Sequence, residues 1–391
     1  MTIALREKLY THSGVRLLPL EKNSEIVWKV AHLTQNIQYE VSAAVAFVIV
    51  DFMGGQTIEG SLKRVEEKEI SCKESTLNAI KWLKDKLILV EKDNKSHIWA
   101  KTILKKWNKY HWDSIADYHI ATFDFPFIDY SKENGREFDI ELMKQYELEE
   151  PDTNRTKNYE STLVSIKAPS AIEVLKTLDR PFVQVWDELT KPTLENENNK
   201  KVITKDGLLK CMSGTFGKLR TRKVNRGGKE RDMIRKTSPS GGARHPTEAY
   251  VIAINVEDME SGVYHFNVES NSLDKINNIL PKERLETIFE GPFRSRQEEF
   301  TEPSAIMFMT SVFERNMWRY REPRTYRTLF MDIGHLTTTF NLICTHLGYG
   351  CYFQHGMIDD EIEKIIGVHY LDEGVVWGAA IGAPGSFEIE N

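Results

Sequence analysis

The sequence predicts a mixed α+β chain of two or three domains, whose larger C-terminal part is a central, mostly antiparallel sheet flanked by helices. Three observations carry this reading. The length of 391 residues corresponds to two or three units at roughly 150 residues per domain. The first hundred residues read as an initial strand, then three helices and a hairpin. From residue 166 onward helical and strand periodicities alternate, the pattern of an α+β sheet with flanking helices.

Taken in order, VRLLPLE at 15–21 alternates like a strand, and YEVSAAVAFVIVDFM at 39–53 reads as a helix stopped by Gly54 and Gly55. QTIEGSLKRVEEKE gives a second, shorter helix, and a third starts at Ser75-Thr76 and runs through LNAIKWLKDK. LILVEK, the polar turn DNKS and HIWAKT read as a hairpin. Three helices followed by a hairpin is the order of a winged helix-turn-helix, so residues 1–105 are expected to form such a domain. It would hold DNA or a peptide, or only pack; Glu66, Glu67, Glu69 and Glu74 between the second and third helices argue against DNA. Residues 106–165 form an aromatic and acidic connection, with a helix around Phe138 to Glu150. His111 and His119 lack a helical partner for a metal shell and suit aromatic packing between domains. Residues 166–391 then carry AIEVLKTL, GLLKCMSGTFG, EAYVIAINVE, GVYHFNV, AIMFMTSVF and DIGHLTTTFNLICTHLG as alternating helices and strands.

Composition narrows the function. Hydrophobic residues at 40%, charged residues at 28% and a net charge of −6 describe an ordinary globular chain and make a general nucleic-acid binder a poor fit. No signal-peptide core is legible at the N-terminus, and the longest apolar run, AAVAFVIV at 43–50, is too short to span a bilayer, so a cytoplasmic protein without membrane contact is expected. Cys72, Cys211, Cys344 and Cys351 lack the spacing of a disulfide framework or a zinc site, and reduced core cysteines are expected with no bound metal.

Chemistry concentrates in KTSPSGGARHPTEAYV at 236–251. Two serine hydroxyls, a stiffening Pro239 and the pair Gly241-Gly242 let main chain approach a flat or anionic ligand without a Cβ in the way. Upstream, KLRTRKVNRGGKERDMIRK at 218–236 holds nine basic residues against Glu230 and Asp232. It reads either as a solvated loop or as an arm facing phosphate or acidic peptide.

SPSGGARHPTEAY, GVYHF, FERNMWRYREPRTYRTLFMDIGHL, NLICTHLGYG and AIGAP stand in an order and spacing that resembles the SagB-type dehydrogenases of the FMN-dependent nitroreductase superfamily. The wording of the RYREPRTYR block is most similar to the subgroup described as peptide maturation dehydrogenases. This resemblance, over about 166–391, implies a four- or five-stranded sheet with flanking helices, a homodimer and FMN at the subunit interface. It implies oxidation of a ribosomally made precursor peptide, such as azoline to azole, with hydride passing to flavin N5 and dioxygen reoxidising the flavin. A cyclodehydratase or another maturation enzyme would be a further partner, and the N-terminal domain would hold the precursor's leader. An NAD(P)H-dependent nitro or quinone reductase and a flavin-less peptide-binding scaffold stand as alternatives.

The same resemblance distributes roles. Ser238, Ser240, Gly241 and Gly242 would approach the ring edge, with Arg244 and His245 near the phosphate or the dimer partner. Arg315 would meet the pyrimidine end, and Gly348–Gly356, with Gly350, Tyr352, Gln354 and His355, would line the pocket near N5 and O4. The phosphate clamp should fall near LKTLDRPF, where only Lys176 and Arg180 match and Leu178 replaces a serine. Nothing basic follows Gly382-Ala383-Pro384, so the basic run from Lys218, or Arg321 with Arg324, would substitute. Azoline-oxidising relatives carry a Lys-Tyr pair where this chain has Arg319-Tyr320. Arginine stays protonated, so Tyr320 becomes the candidate base with Arg319 as its electrostatic support.

Overall fold

A computed structural model describes residues 4–382 except 126, 129, 153–154, 191–201, 227–228 and 290–302. The chain divides into two units, Met1–Ile128 and Asp129–Asn391. The segment expected to connect domains is thus shared between them.

In the first unit, Val15–Lys22, Glu25–His32 and Ile37–Val41 form an antiparallel meander. Lys8–Thr11 pairs with both Gln56–Thr57 and Leu89–Val90. Helices Ala43–Asp51, Ile58–Glu67 and Lys73–Asp85 follow in the expected order, the first shortened because YEV belongs to a strand. Ser42 and Thr57 start the first two by accepting from the N–H groups of Val45 and Gly60. Leu9, Val30, Ile49, Phe52, Ile58 and Ile80 are buried in the shared core.

The expected hairpin after the third helix is not formed. Only Leu89–Val90 is a strand, and HIWAKT lies inside a helix, Lys95–Trp107. Asn94 caps that helix, its Oδ1 accepting from His97 N–H at 3.0 Å. His119 packs on Trp107 within this unit, ring centroids 4.8 Å apart.

In the second unit a single sheet runs in the order Cys351–Gln354, Glu373–Ile381, Ala305–Val312, Thr247–Ala253, Gly262–Asn267, Ser272–Asn278, Val164–Lys167, every pair antiparallel. Seven strands among the described residues exceed the four or five expected, because Val164–Lys167 and Cys351–Gln354 extend the edges. Alternation decides the layers. Ala249, Val251 and Ala253 face a core completed by helices Lys205–Phe216 and Tyr326–His346, whereas Tyr250 and Ile252 face Lys282–Ile288 and Asp359–Ile366. The long helix contributes Leu329, Ile333, Leu336, Phe340 and Ile343, the spacing of one apolar stripe.

The basic segment at 218–236 is not a loop. Arg220–Arg226 and Lys229–Arg235 pair as an antiparallel hairpin outside the main sheet. Cys211 and Cys344 are buried in the core and Cys351 packs against it, but Cys72 is exposed, at the start of a helix. No described helix is long and apolar enough to cross a membrane.

Candidate functional site

Antiparallel pairing gathers the residues singled out above toward one end of the sheet. Val312 N–H donates to Pro246 O at 2.8 Å, so the start of Thr247–Ala253 lies beside the end of Ala305–Val312. Val312 is opposite Glu373, the first residue of the next strand, and Cys351–Gln354 leaves the sheet toward the same end. The loop 236–246, the short helix Phe313–Met317 and residues 355–358 therefore share one rim.

The loop is tied to the long helix by its serines. Ser240 Oγ donates to Asp332 Oδ2 at 2.6 Å, and Gly241 N–H donates to Oδ1 at 3.1 Å. Ser240 Oγ also accepts from His245 N–H at 2.9 Å. Ser238 Oγ lies 2.6 Å from Thr339 Oγ1 and donates to His335 O at 3.3 Å. Burial raises the Asp332 carboxyl above the ordinary carboxylate range, while the bonds from Ser240 and Gly241 oppose that rise.

The glycine pair is a close-approach site. Gly242 has φ +60°, and Ala243 and His245 also have positive φ, at 53° and 49°, a conformation costly for side-chain-bearing residues. A Cβ on Gly241 would lie 2.3 Å from Thr328 Cγ2, and one on Gly242 would lie 2.3 Å from Tyr320 Oη. The hydroxyl of the candidate base thus rests directly on the loop.

Arginines around this rim are matched by carboxylates. Arg319 donates to both oxygens of Asp139, at 2.8 and 2.9 Å, with its guanidinium 4.8 Å from the Tyr320 ring centre. Arg321 pairs with Glu149 at 2.5 Å and covers Tyr146. Arg244, buried, bonds both oxygens of Asp152 at 2.7 and 3.0 Å and lies over Trp318. Arg315, also buried, contacts Glu248 at 2.6 Å and donates to His245 O at 2.9 Å. Burial pushes Glu248 up, but Arg315, His265 and Lys236 together hold it at about 2. Burial, reinforced by Lys236, lowers His245 to about 3. The neutral ring donates from Nε2 to Ile234 O at 3.1 Å.

Two expected phosphate ligands lie elsewhere. Lys176 is exposed on helix Ala171–Lys176. Arg180 donates to the carbonyls of Thr345 and His346, at 3.1 and 3.3 Å, and pairs with Glu188. It caps the C-terminus of the long helix, about 20 Å along that helix from Asp332 at 1.5 Å per residue. Lys218 lies 3.8 Å from Glu269. Ala383 and Pro384 lie outside the described residues.

On the sheet's edge strand, Gly350 O accepts from Gly382 N–H at 3.1 Å and Gln354 is buried. His355 is exposed and lies parallel to Trp377, centroids 6.0 Å apart. Beside it Gly356 is open, the nearest atom to a Cβ there being 4.0 Å away. Among the described residues the buried Trp377 Nε1 has no hydrogen-bond partner.

Sequence reasoning missed Asp332, Glu248, Asp139 and Asp152. Asp332 opens the DIGHL stretch, so adjacency to a motif was the available signal. The partners of Arg319 and Arg244 carried none. An orphaned indole N–H beside an open glycine at the sheet's edge strand fits a flat ligand with a polar edge. Gly356, His355 and Trp377 are the residues that would meet it.

The chain is similar to several known proteins. The chain is 30% identical over 238 residues to the trifolitoxin-processing protein TfxB of Rhizobium leguminosarum bv. trifolii, covering 59% of this chain and 60% of that protein. It is 27% identical over 130 residues to the trifolitoxin-processing protein TfxF of the same organism, covering 33% of this chain and 39% of that protein. The chain therefore spans less than two thirds of the length of either relative. The E. coli microcin synthetase McbBCD complex, solved with truncated pro-MccB17 bound, contains a chain 17% identical, with a TM-score of 0.41, covering 76% of this chain and all of that one. Residues 198–383, which hold the glycine loop, the Arg319-Tyr320 pair and the edge strand, match the nitroreductase family, a family of oxidoreductases that typically bind flavin. This chain carries a nitroreductase-family domain.

Proposed function

We propose that the chain is an FMN-dependent dehydrogenase that removes two hydrogens from a ribosomally made precursor peptide. The observation that carries this reading is the seating of Tyr320 Oη against Gly242, on the rim of a nitroreductase-family domain. The relatives named for trifolitoxin processing support a role in maturation.

When bound, FMN supplies a two-electron acceptor that dioxygen can regenerate. The remaining tasks fall to the chain. Tyr320 Oη takes the substrate proton, since Arg319 cannot act as a base. Arg319 orients the phenol by its cation–π contact, worth about 0.5–1 kcal/mol at a partly exposed site, and Asp139 fixes the guanidinium. Asp332 and Ser240 hold the glycine loop under that hydroxyl. The oxidised bond is that of an azoline or another Cα–Cβ or Cα–N bond in the peptide. The active form is a homodimer in the cytoplasm, with the N-terminal unit holding the leader and a cyclodehydratase or similar enzyme preparing the substrate.

The test is mass spectrometry of a precursor co-expressed with the protein. A loss of two hydrogens with wild type, abolished in Tyr320→Phe while flavin stays bound, supports the proposal. An unchanged precursor contradicts it, and turnover by Tyr320→Phe removes the base assignment. Rapid bleaching by NADPH with no peptide product would instead identify a reductase.

A further inference from the structure

The hairpin that a winged module would offer to a peptide is replaced here by two helices, Lys95–Trp107 and Asp113–Thr122. Rings run along this pair as a continuous row: Trp99 lies 4.9 Å from Phe123, Phe123 5.6 Å from His119, and His119 4.8 Å from Trp107. At the Trp99 end the row is not covered. Phe123 is 56% exposed and borders a cleft of about 310 Å³ that lies wholly within the first unit, a volume at the lower end of the range for ligand sites. An exposed ring beside a concave apolar surface marks a place of contact.

The lining selects the ligand. Trp99, Ile120 and Phe123 make the apolar part, enough for one bulky side chain. Thr34 and Asn36, from the turn between two strands, join Lys95, Ser96 and Asp124 as its polar part. Donors and acceptors therefore stand together, as a peptide backbone requires and a lone anion does not. Charge continues along the first helix, because residues 94–112 hold five lysines and no acid. Lys95 and Lys106, four residues before Trp99 and seven after it, share its face of the helix. Both are exposed, and among the described residues neither has an ion pair. At the helical rise, Lys95 stands about 6 Å and Lys106 about 10 Å along the axis from Trp99. An extended chain covers those distances in about two and three residues.

We propose that this cleft docks an unreacted, acidic segment of the peptide substrate. One bulky apolar side chain rests on Trp99, Ile120 and Phe123, and carboxylates two residues to one side and three to the other meet Lys95 and Lys106. Asp124 accepts a backbone N–H of the bound segment. The inference rests on the reading above that the chain acts on a peptide, and adds where and by what chemistry that peptide is held.

The test measures, by fluorescence anisotropy on the full chain, the binding of a fluorescein-labelled peptide Glu-Ser-Phe-Ser-Ser-Glu. Its controls replace both glutamates by lysine or the phenylalanine by alanine. Wild type should bind the first peptide at least tenfold more tightly than either control. The double variant Lys95→Glu/Lys106→Glu should reverse the charge preference, and Phe123→Ser should lose at least tenfold in affinity, with melting temperatures unchanged. Equal binding of the three peptides, binding of none, or a double variant that still prefers the acidic peptide overturns the inference. So does displacement of the acidic peptide by oligothymidylate at lower concentration than by its own unlabelled form, which would mark a nucleic-acid site. Should Phe123→Ser fail to fold, hydrogen exchange in wild type decides: protection of residues 95–124 by the acidic peptide supports the site, and no protection there refutes it. Precursor oxidation is followed separately. Oxidation without the peptide preference removes this site and leaves the dehydrogenase reading, whereas the preference without oxidation does the reverse.

Discussion

Replacing Gly242 by alanine tests the contact on which the proton-transfer assignment depends. Two costs arise. The residue sits at φ +60°, where a Cβ costs about 1–2 kcal/mol, and that penalty acts on stability alone. The new methyl would also lie 2.3 Å from Tyr320 Oη, whereas ordinary contact begins at 3.4 Å, so the hydroxyl has to withdraw by about 1 Å. Because that oxygen is the free end of a side chain, it moves more cheaply than backbone would. A displacement of about 1 Å in a reacting group can cost on the order of 100-fold in rate. Gly242→Ala should therefore lower the melting temperature modestly, by about 2–4 °C for each kcal/mol in a domain of this size, and lower peptide turnover by about 100-fold with flavin still bound. The assay is single-turnover oxidation of a precursor, run alongside Tyr320→Phe and the double variant. In the Tyr320→Phe background the alanine should retain its stability cost but add little further loss of rate. A Gly242→Ala enzyme within twofold of wild type, or rate losses that simply add, would refute the reasoning.

Other predictions concern different parts of the chain. His12 lies 4.6 Å from His32 and 5.8 Å from His97, ring to ring; burial, then the two neighbouring histidines, lowers it to about 3. The unfolded chain protonates these rings near pH 6.5, so their contribution to stability is complete above that pH. It is lost as pH falls toward 3, by up to about 1.4 kcal/mol per pH unit for each extra proton bound on unfolding. Urea melts of the full chain should show the N-terminal transition weakening on acidification, less steeply in His12→Phe; a flat profile would contradict this. Arg180→Ala should cost about 1 kcal/mol, as loss of a helix-end contact, without changing FMN affinity, measurable by thermal melt and flavin titration. A fall in FMN affinity would return Arg180 to the phosphate site. Glu248→Gln should destabilise by about 3–5 kcal/mol, the cost of leaving Arg315 buried without its carboxylate, and a melt unchanged from wild type would show that the pair is dispensable.

Much of the layout was legible from periodicity, and the failures have local causes. The long helix and strands such as Thr247–Ala253 announce themselves because each buries a continuous face or both faces. The Lys95–Trp107 helix was read as part of a hairpin because Asn94, Lys95 and Ser96 look like a turn, and the same asparagine is a helix cap in the structure. The basic hairpin carries charged residues on both strands, and in a two-stranded ribbon with little apolar alternation no period-2 signal survives. At the rim, the glycine loop and Arg319-Tyr320 were legible as motifs. What holds them was not: Asp332 stands 92 residues from Ser240 and Asp139 stands 180 from Arg319, and only folding brings them together. The two serines were read as ligand donors, yet their hydroxyls bond the long helix. A local motif shows that a loop is specialised, not which of its groups face outward.

The central claim is that the sheet rim bearing Gly242, Tyr320 and His355 is a flavin site. The most direct measurement is the visible absorption spectrum of the purified full chain, followed by heating and identification of any released chromophore. The account predicts a yellow protein that releases FMN in near-stoichiometric amount. A colourless protein that takes up neither FMN nor riboflavin on titration would contradict it.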